Sequence, residues 1–116
     1  MTDLKRGDVI LVWFPNSDLK TFKRRPALVI QADELGTGLP QVVAAMITSN
    51  PVRRGHPSRV FIPLQSPAAQ GTGLRTDSVV MADNLGTILH QAVAQKVGRL
   101  ADLTEVNQAF LTTLGL

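Results

Sequence analysis

The run Val9-Ile10-Leu11-Val12-Trp13-Phe14 is six apolar residues without a polar break. A strand with one wet face would alternate apolar and polar side chains. An unbroken run this short predicts a strand covered on both faces. Pro15-Asn16-Ser17-Asp18 ends it with turn-forming residues. Downstream, the charged segment from Asp18 to Arg25 predicts an exposed loop, and Pro26 opens a second strand over Ala27-Leu28-Val29-Ile30. Proline at the first residue of a strand costs no ladder bond. After the turn-rich stretch Gly36 to Pro40, Gln41 to Thr48 is the next strand.

The same alternation of short apolar runs and turn residues continues. Ser49 to Ser58 predicts a loop, Arg59 to Leu64 a short strand with Val60 and Ile62 on one face and Phe61 on the other, and Gln65 to Gly73 another loop. Ser78 to Ala82 is a buried strand, ended by Asp83 and Asn84. Asn84 to Ile88 and Ala94 to Val97 are weaker strand segments. The tail changes period. Leu103, Val106, Phe110 and Leu114, with Ala109 beside them, follow steps of three and four, the spacing of one helical face. Asp102 is the expected N-cap, with Glu105 as the acidic residue three positions on, and Gly115 the expected stop. The expected fold is mainly β: a small barrel of five to seven strands with a C-terminal helix.

The 116 residues fit one domain, 1–116, able to bury a core without staples. There is no cysteine, so disulfides and thiolate metal sites are excluded. Met1 to Asp8 is polar and charged, unlike a secretory signal, and the apolar runs Val9 to Phe14 and Val42 to Ile47 are too short to span a bilayer. A soluble, cytoplasmic protein with no membrane contact is expected. His56 and His90 do not stand at metal-ligand spacing, and no glycine-rich phosphate loop or nucleophile elbow occurs, so neither metal nor cofactor is expected.

The net charge is only +3, but its placement is uneven. Lys20, Lys23, Arg24 and Arg25 fall in one short segment, and Arg53, Arg54 and Arg59 in another. Such clusters attract a polyanion, although solvated loop cations give the same pattern. Polar residues at strand ends are the other chemistry-bearing set: Arg25 before the second strand, Thr48, Ser49 and Asn50 after the third, Asp83 and Asn84 after the late one. Each has an ordinary alternative, as a loop arginine, backbone caps or a turn.

Ordered blocks give these residues a context. Lys5-Arg6-Gly7-Asp8-Val9, Arg25-Pro26-Ala27-Leu28-Val29-Ile30-Gln31, Ala44-Ala45-Met46-Ile47-Thr48-Ser49, Asp77-Ser78-Val79-Val80, Asp83-Asn84 with Thr87-Ile88, and Val97-Gly98-Arg99-Leu100 ahead of a helix resemble, in sequence and order, the MazF/PemK/Kid toxins. The resemblance implies an SH3-like barrel, a homodimer, and a metal-independent, sequence-specific endoribonuclease (an mRNA interferase) that cuts single-stranded RNA and so stops translation and growth. It also implies a cognate antitoxin whose acidic, partly disordered segment covers the RNA site. Residue by residue, it implies catalytic roles for Arg25 and Thr48 and an acidic site position at Asp83. Two positions depart from the pattern: Met81 stands where Kid-like members have an arginine proposed as a proton donor, and Gly86 where many members carry an arginine.

The chemistry implied is attack of a 2′-hydroxyl on the adjacent phosphorus, leaving a 2′,3′-cyclic phosphate and a 5′-hydroxyl. It needs a cation for the phosphorane charge and groups that move protons. The planar guanidinium of Arg25 suits the first role and Thr48 can donate to a phosphate oxygen. Asp83 and His56, an imidazole with an unperturbed pKa of about 6.5, are the candidates for proton transfer. Lys20, Lys23, Arg24, Arg53 and Arg54 would contact phosphates, and Ser49, Asn50 and Asn84 the RNA bases or backbone. Two other functions stay open: an RNA-binding barrel without catalysis, and a gyrase poison resembling CcdB. That poison acts through a terminal Trp-Gly-Ile, where this chain has Leu114-Gly115-Leu116.

Overall fold

The structure, a computed structural model, describes residues 3–116; the parts of the leader and domain expectations that concern Met1 and Thr2 lie outside the described residues. Six strands follow in chain order, β1 (Asp8–Pro15), β2 (Phe22–Val29), β3 (Gln41–Thr48), β4 (Arg59–Ile62), β5 (Ser78–Leu89) and β6 (Val93–Arg99), before one helix, α1 (Thr104–Leu114). They form a single sheet ordered β4-β5-β3-β2-β1-β6, every described pair antiparallel.

As far as Val12, the unbroken run of β1 is covered on both faces, as its sequence predicts. Val9 joins Leu28, Ala45, Val60, Ile62 and Val80 in one core, closed by Val106 and Ala109 of α1. Ile10 and Val12 pack on the opposite face with Ala27, Val29, Val42 and Ala44. Val60 of β4 and Val9 of β1 are four strands apart in sheet order yet share a core, so the sheet curls into a barrel with α1 at its opening. Each such buried aliphatic side chain contributes about 1.5–3 kcal/mol by leaving water.

Beyond Val12 the same run is no longer covered. Trp13 and Phe14 are exposed, because β1 and β2 continue as a hairpin arm past the barrel. The expected loop from Asp18 to Arg25 is therefore shorter than its charge suggests: β2 starts at Phe22, and Pro26 stands inside it, opposite Leu11. Cross-strand partners explain the difference. Arg24 pairs with Trp13 and lies over its ring at 5.8 Å, a cation–π contact that favours pairing of otherwise polar residues. Asp18 closes the turn by accepting from the backbone of Lys20 and Thr21 and from the Thr21 hydroxyl. Pro26 is tolerated because β3 pairs with β2 only over Ala27 to Val29.

Two further expectations are corrected. Asp83 and Asn84 do not end a strand; β5 runs through them to Leu89 and absorbs the separate segment Asn84 to Ile88. Opposite the single residue Met46 of β3, between the pairs Ile47–Val80 and Ala45–Leu85, β5 inserts Met81 to Asn84, a bulge that bends the strand. The polar pair marks that bulge rather than a turn. At α1, Asp102 is not the N-cap. Leu103 takes that position without a side-chain cap bond, while Asp102 Oδ1 accepts from the Thr104 N–H at 3.0 Å. Gly115 ends the helix as expected, in the left-handed region with φ 70°, and Val106 and Ala109 are its buried residues, while Leu114 is exposed. No helix among the described residues is long and apolar enough to cross a membrane.

A cationic cleft as candidate active site

The hairpin arm, the end of β3, the bulge of β5, the outer strand β6 and the segment Gly73 to Thr76 surround an open cleft of about 1020 Å³. Its lining includes the basic side chains Lys23, Arg24, Arg25, Arg53, Arg75 and Lys96 and no carboxylate or imidazole. The whole chain has 12 basic and 9 acidic residues, so the cleft concentrates half of the basic residues and excludes the acids. Low-dielectric walls lined by one sign of charge focus the field on a bound anion.

Arg25 stands opposite Val12 where β2 leaves the barrel, exposed and lining the cleft. Thr48 is the last residue of β3, half-buried opposite Val79. Its Oγ accepts from the Asn50 N–H at 3.1 Å, which fixes the hydroxyl oxygen and leaves its proton available for a ligand. Ser49, Lys23, Arg24, Arg53 and Asn84 share the cleft with them, Asn84 carried in by the bulge. Met81, the position of the Kid-like arginine, also lines it.

The other expected site residues lie elsewhere. Asp83 is gripped by Arg59, whose Nη2 is 2.8 Å from Oδ2 and whose Nε also donates to the carboxylate. That hydrogen bond, opposed by partial burial and helped by the charge, holds the Asp83 carboxyl below the usual carboxylate range, so it is a weak base at neutral pH. Arg59 also donates to the Arg53 carbonyl at 3.1 Å, tying the loop that carries Arg53 to the bulge. His56 uses Nδ1 to accept from the Ser58 N–H at 3.1 Å, with the Ser58 hydroxyl 2.7 Å away, which assigns its neutral-form proton to Nε2. Asn50 caps a turn of 3₁₀ helix through the Val52 N–H, Arg54 lies over Phe61 at 5.0 Å, and Lys20 belongs to the hairpin turn. None of Asp83, His56, Asn50, Arg54 or Lys20 lines the cleft.

Arg75, Thr76, Gln95 and Lys96 do line it and escaped the sequence reading. They are isolated in sequence, so no local cluster of charge marks them. Phe14, carried by the arm, is the cleft's aromatic side chain. Among the described residues, no group of three or more histidines and acids is placed to hold a metal ion.

Residues 5–114 match the family of PemK-like, MazF-like toxins of type II toxin–antitoxin systems. Endoribonuclease MazF2 of Mycobacterium bovis is 38% identical over 87 residues, covering 74% of this chain and 72% of the relative. A solved endoribonuclease from mycobacterial species superposes with a TM-score of 0.73 at 25% identity, covering 100% of this chain and 95% of the other. A mycobacterial endoribonuclease solved in complex with its cognate antitoxin has the same fold, with a TM-score of 0.72 at 24% identity, covering 97% and 96%. The barrel with its terminal helix, the cationic cleft at the end of β3 and a family match over nearly the whole length agree: the chain belongs to the PemK-like, MazF-like toxins of type II toxin–antitoxin systems.

Proposed function

We propose that this MazF-family endoribonuclease cuts single-stranded RNA in the cationic cleft without a metal ion, with Arg25 and Thr48 as its catalytic residues. The observation that carries the reading is the composition of the cleft: six cations around Thr48 and no carboxylate to repel a phosphodiester or ligate a divalent ion. In the reaction the 2′-oxygen bonds to phosphorus as the bond from phosphorus to the 5′-oxygen breaks. The 2′-hydroxyl proton leaves to solvent and the departing 5′-oxygen takes one up, so the products are a 2′,3′-cyclic phosphate and a 5′-hydroxyl with no net water consumed. Arg25 binds the two non-bridging oxygens as their charge grows, and Thr48 donates a third hydrogen bond. Asp83 and His56 take structural roles in this scheme, through Arg59 and Ser58. Phe14 stacks on a base, and Asn84 and Ser49 contribute sequence preference.

The same cleft suits an antitoxin that presents an acidic segment, since carboxylates and phosphates compete for the same guanidinium groups. A mycobacterial endoribonuclease solved in complex with its cognate antitoxin supports an antitoxin as the partner. The proposed setting is one 1–116 domain acting as a cytoplasmic homodimer that inhibits translation and growth, with sedimentation of the purified toxin as the test of the dimer.

Purified protein incubated in EDTA with a long mixed-sequence RNA, followed by mapping of both ends, tests the activity. The expected result is discrete cuts with cyclic phosphate and 5′-hydroxyl ends, lost in Arg25→Ala. Intact RNA from folded, antitoxin-free protein would overturn cleavage and reassign the cleft to binding alone.

A further inference from the structure

Arg75 and Lys96 line the same cleft as Arg25 and Thr48 but are carried by other segments, Gly73 to Thr76 and β6. Lys96 is on β6, which pairs with the far side of β1. β2 and β6 flank β1, so the backbones carrying Arg25 and Lys96 are two strand spacings apart, roughly 10 Å. The Lys96 ammonium is paired on its own side of that gap. It is 3.3 Å from Oδ1 of Asp8, a side chain with 0% exposure. The same oxygen accepts from Arg99 Nη1 at 3.1 Å, and Oδ2 accepts from the Lys5 N–H at 2.8 Å. A carboxylate so fully desolvated has to be paired, and two cations on one carboxylate leave a net positive charge on this wall. The ammonium has three donors, of which Asp8 takes one.

Arg75 reaches the same wall from a fixed support. The segment Gly71 to Gly73 lies backbone against backbone on β6. A Cβ on Gly73 would be 2.4 Å from the Val97 carbonyl oxygen, and one on Gly98 2.3 Å from the Gly71 carbonyl oxygen. The Arg99 N–H donates to that Gly71 oxygen at 2.8 Å. Between the glycines, Thr72 is fully buried, donating to the Ala69 carbonyl at 2.7 Å and accepting from the Leu74 N–H at 3.2 Å. Leu74 then packs on the barrel core, so Arg75 leaves the chain one residue after an anchored position, exposed and with no acidic partner among the described residues.

We propose that Arg75 and Lys96 form a second phosphate subsite, which holds an RNA phosphate flanking the one that Arg25 engages. The inference rests on the RNA reading of the cleft. Asp8 is then a positioning residue: it fixes the ammonium that the RNA meets. The subsite carries no base recognition, so it sets how long an RNA must be to bind well, while sequence preference resides elsewhere in the cleft.

The test is binding rather than cleavage. A mixed-sequence 2′-O-methyl RNA of about 12 nucleotides, within the usual length of single-strand sites, has no nucleophilic hydroxyl and stays intact. Arg75→Ala and Lys96→Gln are each expected to weaken its binding about tenfold, and to make the dependence of log affinity on log salt shallower by about 0.7. Arg75→Ala removes an exposed side chain and should unfold at the parental temperature. Lys96→Arg keeps both the charge and the Asp8 pair and should bind as the parent does. A dinucleotide with one phosphodiester should lose affinity in Arg25→Ala and be indifferent to Arg75→Ala. If the parent binds the 12-mer and both variants bind it with parental affinity and salt slope, the subsite is refuted while the RNA reading stands. If the folded parent binds neither oligonucleotide, the RNA reading falls and the subsite with it.

Discussion

Replacing Gly98 by alanine places a single methyl group where β6 and the segment before Arg75 touch. The new Cβ would lie 2.3 Å from the Gly71 oxygen, 2.4 Å from the Thr72 carbonyl carbon and 2.5 Å from the Thr72 oxygen, against an ordinary contact of 3.4 Å or more. All three atoms are backbone, so no rotamer change relieves the overlap; strand and segment must separate by about 1 Å. That separation strains the Arg99-to-Gly71 hydrogen bond and loosens the seat of Thr72. Overpacking of this kind costs about 1–3 kcal/mol, and a weakened buried hydrogen bond about 1 more. For a domain of this size, the sum corresponds to a fall in melting temperature of about 8–16 °C. Gly86→Ala is the control, because its Cβ meets only the Ile88 Cδ1 at 3.6 Å; that variant should melt within about 3 °C of the parent. Thermal unfolding at one fixed protein concentration measures both. A Gly98→Ala protein that melts with the parent would show that segment and strand are not in contact, and would remove the rigid mount argued for Arg75.

Arg25→Ala should lower the single-turnover cleavage rate about 10² to 10³-fold at unchanged melting temperature, the usual loss for a positioned transition-state donor, and end-labelled RNA would show a parental rate if the assignment is wrong. Thr48→Val, which keeps the shape and removes the hydroxyl, should slow cleavage less than Arg25→Ala, because its hydrogen bond adds to a charge already present; a larger loss than for Arg25→Ala would reverse the two roles. Cleavage in EDTA should equal cleavage in magnesium at matched ionic strength, and a stimulation by magnesium beyond the ionic-strength effect would contradict the metal-free scheme. Asp83 titrates below its ordinary 3.8 because Arg59 holds its charged form. The pair therefore stabilises the fold fully above about pH 4, and its contribution is lost as the pH falls through the lower folded value. Asp83→Asn should cost below about 1 kcal/mol in urea unfolding at pH 7, with the difference vanishing toward pH 2, and a difference that persists there would assign it to packing instead.

The barrel is legible in the sequence because burial on two faces requires unbroken apolar runs. Val9 to Val12, Gln41 to Thr48 and Ser78 to Ala82 fulfil that requirement and are strands at those positions. The two longest misread stretches are places where a strand continues without burial of the misread residues. Phe22 to Arg25 is exposed yet paired, held by partners on β1 that no local window contains. Asp83 and Asn84 have the composition of a turn but lie in a bulge, and a bulge keeps its strand through pairing on both sides. The helix start is a different case: Leu103 stands at the N-cap, and Asp102 serves the first turn from one residue outside by accepting from the Thr104 N–H. Periodicity reports burial, and pairing that is not accompanied by burial leaves no periodic trace.

The site shows the complementary effect. Clusters of charge in the sequence include Lys23, Arg24, Arg25 and Arg53, which line the cleft, and also Lys20 and Arg54, which do not. Lone cations, Arg75 and Lys96, reach the cleft because a pair of glycines and a buried aspartate bring them there. The acids follow the same logic in reverse. Asp8 lies beneath Lys96 and Arg99, Asp83 beneath Arg59 and Asp18 inside the hairpin turn, each consumed by a structural bond outside the cleft lining. A net charge of +3 is therefore a poor guide to the field an RNA would meet. The fold holds Asp8, Asp83 and Asp18 in ion pairs and a turn outside the cleft while it leaves six cations lining one surface, and that separation, rather than the total charge, suits the cleft to an anionic ligand.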